Sequence, residues 1–387
     1  MMTISERLLH PDDATRDAAL EAAKASGKPV VGLIGAVVPV ELVLAAGCVP
    51  ITLTARAADW ERDAAPMEQG HEPEMRSLFL QAVEGQFEAC DLLVIPSTSD
   101  GLRFLYQYLK EMVRQGRGER VPPLYTYDFL FGRSDPVRGY SRRVQDSLVR
   151  RLAVLSGRAA APEALLQAIA AGGAVREQWR RLNRLRAQGR VGGCDAHGAM
   201  RAGAFLQPDV YAQRLEAWND ELSALPQDDT RPRLLLAPAV PLYHEHLHAL
   251  AEQAGALVTC EDDEWGARRG DAGIAGDAAP ADAIFSYCYD YACSQRMLRA
   301  QREAWLEAAM RQGEVEGVVF YIPPSDQAYG WRYPDLKSMA EAYGLPTLLV
   351  RDDVLDPAAA PAIAAQLAAF CEALVRQPST SSTGGRQ

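Results

Sequence analysis

Short, solid apolar runs alternate along most of this chain with longer stretches whose apolar residues recur every three or four positions. The runs at 30–34, 50–53, 92–95 and 123–125 predict strands, and 39–46, 73–83 and 102–113 carry helical spacing. Pro39 and Pro73 suit a first helical turn, where a missing N–H costs nothing. Strands alternating with helices predict parallel strands with crossover helices, hence a doubly wound sheet. Between 141 and 225 the pattern turns to Arg, Leu, Ala and Glu without β-branched runs, which predicts several helices, with GGCDAHG (192–198) as a loop. The alternation then resumes. Strands are predicted at 234–238, 256–260, 283–287, 317–322 and 346–350, and helices at 243–253, 292–312, 335–343 and 357–375. The expected organisation is an N-terminal α/β lobe (1–140), a helical connector (141–225), a C-terminal α/β lobe (226–376) and a disordered tail (377–387).

Two strand ends repeat one pattern. VIPSTSD closes a predicted strand on Ser99-Asp100, and VFYIPPSD closes another on Ser325-Asp326, each followed by a helical pattern. Ligands of open α/β sheets sit beyond the carboxyl ends of strands, so two facing lobes would bring both Ser-Asp pairs to one interlobe cleft. The plainer reading makes these residues helix N-caps.

Bulk properties narrow the function. A net charge of −11 argues against a nucleic-acid partner, which needs a basic surface. The seven cysteines include no Cys-x-x-Cys pair and read as free thiols of a reducing, cytoplasmic setting. The charged N-terminus has no apolar segment of the secretory kind. The apolar stretch 29–55 is divided by Pro39 and Pro50 into pieces too short to cross a membrane. No GxGxxG or GxxxxGK[ST] motif occurs, so neither a dinucleotide site nor a P-loop is expected.

Four segments, in order, carry a family resemblance: GLIGAVVPVELVLAAGCVPITL, MRSLFLQAVEGQFEACDLLVIPSTSDGLRFLY, EQAGALVTCEDDEWGARR and VEGVVFYIPPSDQAYGWRYPDLKSMAEAYGLPTLLV. Together they resemble the subunits of 2-hydroxyacyl-CoA dehydratases and benzoyl-CoA reductases. The resemblance implies two flavodoxin/Rossmann-like lobes with parallel sheets, an iron–sulfur cluster in the cleft, and a paralogous partner subunit. It also implies an ATP-hydrolysing activator that delivers electrons, and acyl-CoA thioesters as substrates.

The departures from that pattern matter more. The family's three cluster-holding cysteines correspond to Glu72, Ser99 and Ser325, and the serine that contacts the thioester oxygen corresponds to Ala36. Serine is a hard, weak ligand at a site that selects sulfur. The expectation is therefore a cluster-less subunit paired with a cluster-bearing paralogue, with no cofactor or metal in this chain. Cys288 and Cys293, in SYCYDYACSQRM, lie near a family segment, and His71, Glu72, Asp100 and Asp326 form an alternative hard-ligand set. Candidate acid/base groups are Glu72, Asp100 and Asp326; they would serve a redox-independent acyl-CoA enzyme, the second reading, a non-catalytic binding protein being the third. Cleft-lining candidates are Gly35, Ala36, Glu41, Arg76, Ser99, Arg103, Arg268 and Ser325, the arginines as anion contacts or structural ion pairs. The HEHLH stretch (His244, His246, His248) reads as an exposed, incidental cluster.

Overall fold

The computed structural model describes residues 13–376 except 57–58, 60–61, 63–66, 68–71, 227–229, 243, 264, 291–298, 313–314, 325 and 327–328. His71, Cys293, Ser325 and the tail 377–387 thus lie outside the described residues. Helix α1 (Asp13–Ala25) leads into β1 (Val30–Ile34), α2 (Val40–Ala45), β2 (Val49–Leu53), α3 (Pro73–Val83), β3 (Leu92–Pro96), α4 (Asp100–Arg114) and β4 (Leu124–Tyr127). The helices α5 (Asp135–Ser156), α6 (Pro162–Ala187), α7 (Gly193–Ala202) and α8 (Pro208–Ser223) follow. The chain then runs through β5 (Arg233–Pro238), α9 (His246–Gln253), β6 (Leu257–Glu261), α10 (Pro280–Asp290) and α11 (Arg299–Arg311). It ends with β7 (Gly317–Tyr321), α12 (Tyr333–Ala342), β8 (Thr347–Val350) and α13 (Ala360–Arg376).

The strands form two four-stranded, all-parallel sheets of the same order, β2-β1-β3-β4 and β6-β5-β7-β8. These are the two flavodoxin/Rossmann-like lobes. Parallel strands are covered on both faces, which is why their sequences read as solid apolar runs. Side chains nevertheless alternate. Val30, Ile34, Leu93 and Ile95 face Leu20 of α1, Leu78 and Phe79 of α3 and Leu105 and Leu109 of α4. Val31, Leu33, Leu92 and Val94 face the opposite layer, with Leu42, Leu148 and Leu152. In the second sheet Leu234, Leu236 and Val319 pack toward Leu247, Ile363 and Leu367, while Leu235, Val318 and Phe320 pack toward Leu306, Met310 and Leu336.

Helix α6 joins the lobes through two buried ion pairs. Arg176 donates from Nη1 to Glu41 Oε1 of α2 at 2.8 Å. Arg186, fully buried, donates from Nη1 to Glu261 Oε1 at the end of β6 at 2.9 Å, from Nη2 to Glu261 Oε2, and from Nε to the Val258 carbonyl at 2.7 Å. Removing one partner of such a pair would strand the other without water or a counter-charge.

Two predicted elements are corrected. Residues 192–198 are not a loop: α7 starts at Gly193, and the carboxylate of Glu252 supplies the cap by accepting from Gly193 N and Cys194 N. Glycine is needed there because a Cβ at 193 would stand 2.4 Å from the Val258 carbonyl oxygen. Close approach, not a chain break, explains it. Residues 283–287 are not a strand of the second sheet but part of α10, whose Ile284, Phe285 and Cys288 complete the core on one face of the first sheet. A short apolar run does not by itself separate strand from buried helix. Pro280 in the first turn is the helical sign.

The adjacent pair Gly172 and Gly173 on α6 tests the clamp. A Cβ at 172 would lie 2.7 Å from Glu41 Oε1, whereas one at 173 meets nothing within 4 Å. Gly172→Ala is expected to destabilise by about 1–3 kcal/mol through overpacking. Gly173→Ala should stabilise by about 0.5–1 kcal/mol through helix propensity. Urea unfolding of the two variants beside the parent reads the opposite signs.

Candidate functional site

The carboxyl end of β3 builds one wall. Ser99 has an extended backbone and its Oγ accepts from Leu102 N at 3.2 Å, so the hydroxyl caps α4. Asp100 is exposed and its Oδ1 accepts from Arg103 Nη1 at 3.2 Å, while Arg103 Nε donates to the Ser97 carbonyl at 3.0 Å. Ser97 and Tyr140 both donate to Asp128, and these hydroxyls hold its carboxyl below the usual carboxylate range.

Glu72 immediately precedes α3 and is exposed, with its carboxylate lying over Gly101; a Cβ there would sit 2.6 Å from Glu72 Oε2. The Glu72 carboxylate thus stands beside the first turn of α4, next to the Ser99-Asp100 strand end. Arg76, one turn on, donates from Nη2 to the Arg62 carbonyl at 2.8 Å.

In the second lobe Asp326 Oδ1 accepts from Tyr329 N at 2.7 Å and from Gly330 N at 3.3 Å, capping the short turn Tyr329–Arg332. Arg268 is buried and donates to Asp262 Oδ1 at 2.8 Å, with its guanidinium over the Trp305 ring at 4.7 Å. Arg302 binds the other oxygen of Asp262 and lies 4.3 Å from the Tyr329 ring centre. Of the two roles open to Arg268, the structural ion pair is the one observed. Glu41 likewise is 3% exposed and neutralised by Arg176, so it is corrected from a cleft contact to a tie between layers. Gly35 has φ +74° and open space where a Cβ would stand, and Ala36 packs against Ala204, Phe205 and Trp265. Trp265 follows β6, so both lobes contribute to this wall.

The sequence reading overlooked Glu74, Asp353 and Tyr321. Glu74, in the first turn of α3, is half-buried; burial, with the charges of Asp353 and Glu72, pushes its carboxyl up to about 7. Asp353 follows β8 and Tyr321 ends β7, and the Asp353 charge acts on both Tyr321 and Glu74, so a first-lobe carboxyl stands near the strand ends of the second. The rule that ligands gather at the carboxyl ends of strands pointed to the RDD that follows β8. Nothing in the spacing singled out Glu74.

The histidine expectation is also corrected. His246 is exposed, but His248 is fully buried, stacked on His197 at 4.5 Å between ring centres, with Nε2 3.3 Å from Glu261 Oε2. Burial holds His197 well below its ordinary range and hence neutral. Asp263 accepts from Leu242 N at 3.1 Å and Trp265 N at 3.0 Å; burial pushes its carboxyl up to about 7. These groups make a buried polar layer behind Trp265. Among the described residues no group of three or more His, Cys, Asp or Glu side chains is arranged to hold a metal ion, and no helix is long and apolar enough to cross a membrane.

The family model described as 2-hydroxyglutaryl-CoA dehydratase, D-component, matches residues 36–374. No curated protein matches the chain.

Glu74 yields a pH prediction. Its folded carboxyl titrates near 7 against an ordinary 4.5, so the folded state binds more protons between these values. Stability contributed at this site is thus present below pH 4.5 and is lost as pH rises through 7. Glu74→Gln is expected to raise stability at pH 8 by at most about 3 kcal/mol, with the gain vanishing by pH 4. Thermal melts of variant and parent across this range measure it; an increment independent of pH would contradict the assignment.

Proposed function

Because the chain belongs to the 2-hydroxyglutaryl-CoA dehydratase D-component family, we propose that it acts as a cluster-less subunit of a 2-hydroxyacyl-CoA dehydratase/benzoyl-CoA reductase-type complex. Its partner is a paralogous subunit that carries the iron–sulfur cluster and takes electrons from an ATP-dependent activator. This chain's cleft helps to enclose the acyl-CoA thioester. The assembly works in the reducing cytoplasm, a reading supported by six described cysteines that are all free thiols.

The donor set carries this reading. Where the family grips its cluster, this chain offers the Glu72 carboxylate and the Ser99 hydroxyl, and that hydroxyl is already used as a helix cap. Iron–sulfur clusters are held by thiolates, and these oxygen donors do not fit one. Nor do the described cysteines replace them. Cys90 and Cys288 are buried in the two core layers of the first sheet, and burial pushes the Cys90 thiol up to about 12 and Cys288 well above its ordinary value. Both stay protonated, whereas cluster ligation needs thiolates. The conflict lies in the donor chemistry.

A second reading rests on Glu74. A carboxyl titrating near neutrality in a cleft suits general acid/base catalysis, which favours a redox-independent reaction on an acyl-CoA. Of the carboxylates first considered, Asp326 is engaged as a turn cap and Asp100 is exposed and paired with Arg103, leaving Glu72 beside Glu74 as the better placed.

Iron and acid-labile sulfide analysis of the anaerobically purified chain separates these readings from a cluster-bearing one. Far less than one cluster per chain is expected, and a stoichiometric, oxygen-sensitive cluster would overturn the proposal. Affinity capture from the native host should bring down a paralogous subunit if the first reading holds. Activity of the chain alone that is lost in Glu74→Gln would favour the second.

A further inference from the structure

An open cavity of about 770 Å³ lies between the last turns of α6, the last turns of α11 and the short turn Ala267–Gly270, beside the edge strand β6. That volume falls in the range of small-molecule sites. None of Glu72, Glu74, Ser99, Asp326 and Asp353 lines it, so it is separate from the strand-end cleft. Cys260, Trp305 and Ala309 close one side against the core of the second sheet. Methyl groups of Ala187, Ala267, Ala308 and Ala309 supply much of the wall, a surface suited to a slender aliphatic chain.

The polar groups of the cavity divide into acceptors and one donor. Asp271 has no ion pair among the described residues, and its Oδ2 accepts from the Trp305 indole N–H. The guanidinium groups whose charge reaches it are engaged elsewhere. Arg268 binds Asp262, and Arg180 binds Glu177 and the Gly270 carbonyl. Asn183 donates from Nδ2 to the Ala267 carbonyl at 2.9 Å, which fixes its amide and leaves Oδ1 buried without a partner. An enclosed acceptor of this kind calls for a donor. Arg184 is the one cation among the described lining residues. Its side chain is 60% exposed and its ion pair, to Glu177 Oε1, spans 3.8 Å. Such a surface contact is weak, and the guanidinium is free to take a carboxylate in its place.

We propose that this cavity binds an aliphatic ω-amino acid, with the ammonium at Asp271 and Asn183 and the carboxylate at Arg184. Two acceptors, a single accessible cation and methyl-lined walls between them define that class of ligand. The occupant would bridge α6, the 267–270 turn and α11. Asn183, Arg184 and Ala187 share their helical turns with Arg186, and Cys260 precedes Glu261, so the site adjoins the ion pair that joins the connector to the second lobe. Binding is therefore placed to stiffen that join.

Calorimetric titration of the full chain tests this with ω-amino acids from γ-aminobutyrate to ε-aminocaproate, and with cadaverine and caproate as one-ended controls. The best-fitting amino acid should bind the parent most tightly, cadaverine several-fold more weakly and caproate least. Asp271→Asn should weaken the amino acid and cadaverine by about tenfold or more, the scale of one charge-assisted hydrogen bond. Arg184→Gln should weaken the amino acid several-fold and leave cadaverine unchanged. Ala308→Leu, which fills the slot, should weaken every ligand. Unaltered melting temperatures of the ligand-free variants would exclude misfolding as the cause. No binding of any of these compounds to the parent at millimolar concentration would overturn the site. So would amine binding equal to the parent in both Asp271→Asn and Ala308→Leu.

Discussion

The geometry of the whole molecule depends on one helix carrying two buried arginines. On α6, Arg176 neutralises Glu41 of the first lobe and Arg186 neutralises Glu261 of the second. Ten residues of helix separate them, about 15 Å along the axis. Loss of either guanidinium would leave a buried carboxylate without its counter-charge, so each lobe is obliged to meet α6 at a fixed point. The Glu261 end is the more elaborate. The same carboxylate accepts from Ala267 N at 2.8 Å and lies beside His248, which orients the loop leading through Trp265 to the cleft. Charge placement far from any substrate thereby sets how the two strand-end walls face one another.

Carboxylates gather from both lobes (Glu72 and Glu74 from the start of α3, Asp353 from the end of β8); burial chiefly, with the charges of Asp353 and Glu72 added, lifts Glu74. Under the proposed function this subunit offers protons and hydrogen bonds where a paralogue offers electrons. A division of labour between two related subunits is then written in the choice of sulfur or oxygen at equivalent strand ends.

Much of this was legible in the residues alone. Parallel strands buried on both faces leave solid apolar runs, and β1, β3, β5 and β7 were accordingly found within a residue or so of their bounds. Two of the four edge strands, β4 and β8, are only partly buried, yet their Pro-led apolar runs still marked them. What failed was what depends on tertiary contact. Gly192-Gly193 reads as a break unless one knows that Val258 presses on it and that Glu252, some sixty positions away, supplies the cap. AIFSY reads as a strand unless one knows that its partners are Phe129, Leu148 and Leu152 rather than the neighbouring sheet. At the site, Glu72 and Ser99 were identified by resemblance, and the Glu72 carboxylate lies over Gly101, two residues past Ser99. Glu74 acquires its character from burial and from the charge of Asp353, a residue of the other lobe, and no local pattern encodes that.

Helix α10 has a consequence for how the protein can move or be divided. The chain leaves the first lobe through the connector, builds two strands of the second, and then returns with Ile284, Phe285 and Cys288 to close the first lobe's core before going back. The two halves are thus laced together by successive passes of backbone rather than hung on one hinge. Severing the chain at a single point in the connector would not free either half, and wide clamshell opening would have to tear an apolar layer apart. Under the proposed function, substrate would enter by small adjustments at the rim, as suits a rigid half-shell completed by another subunit.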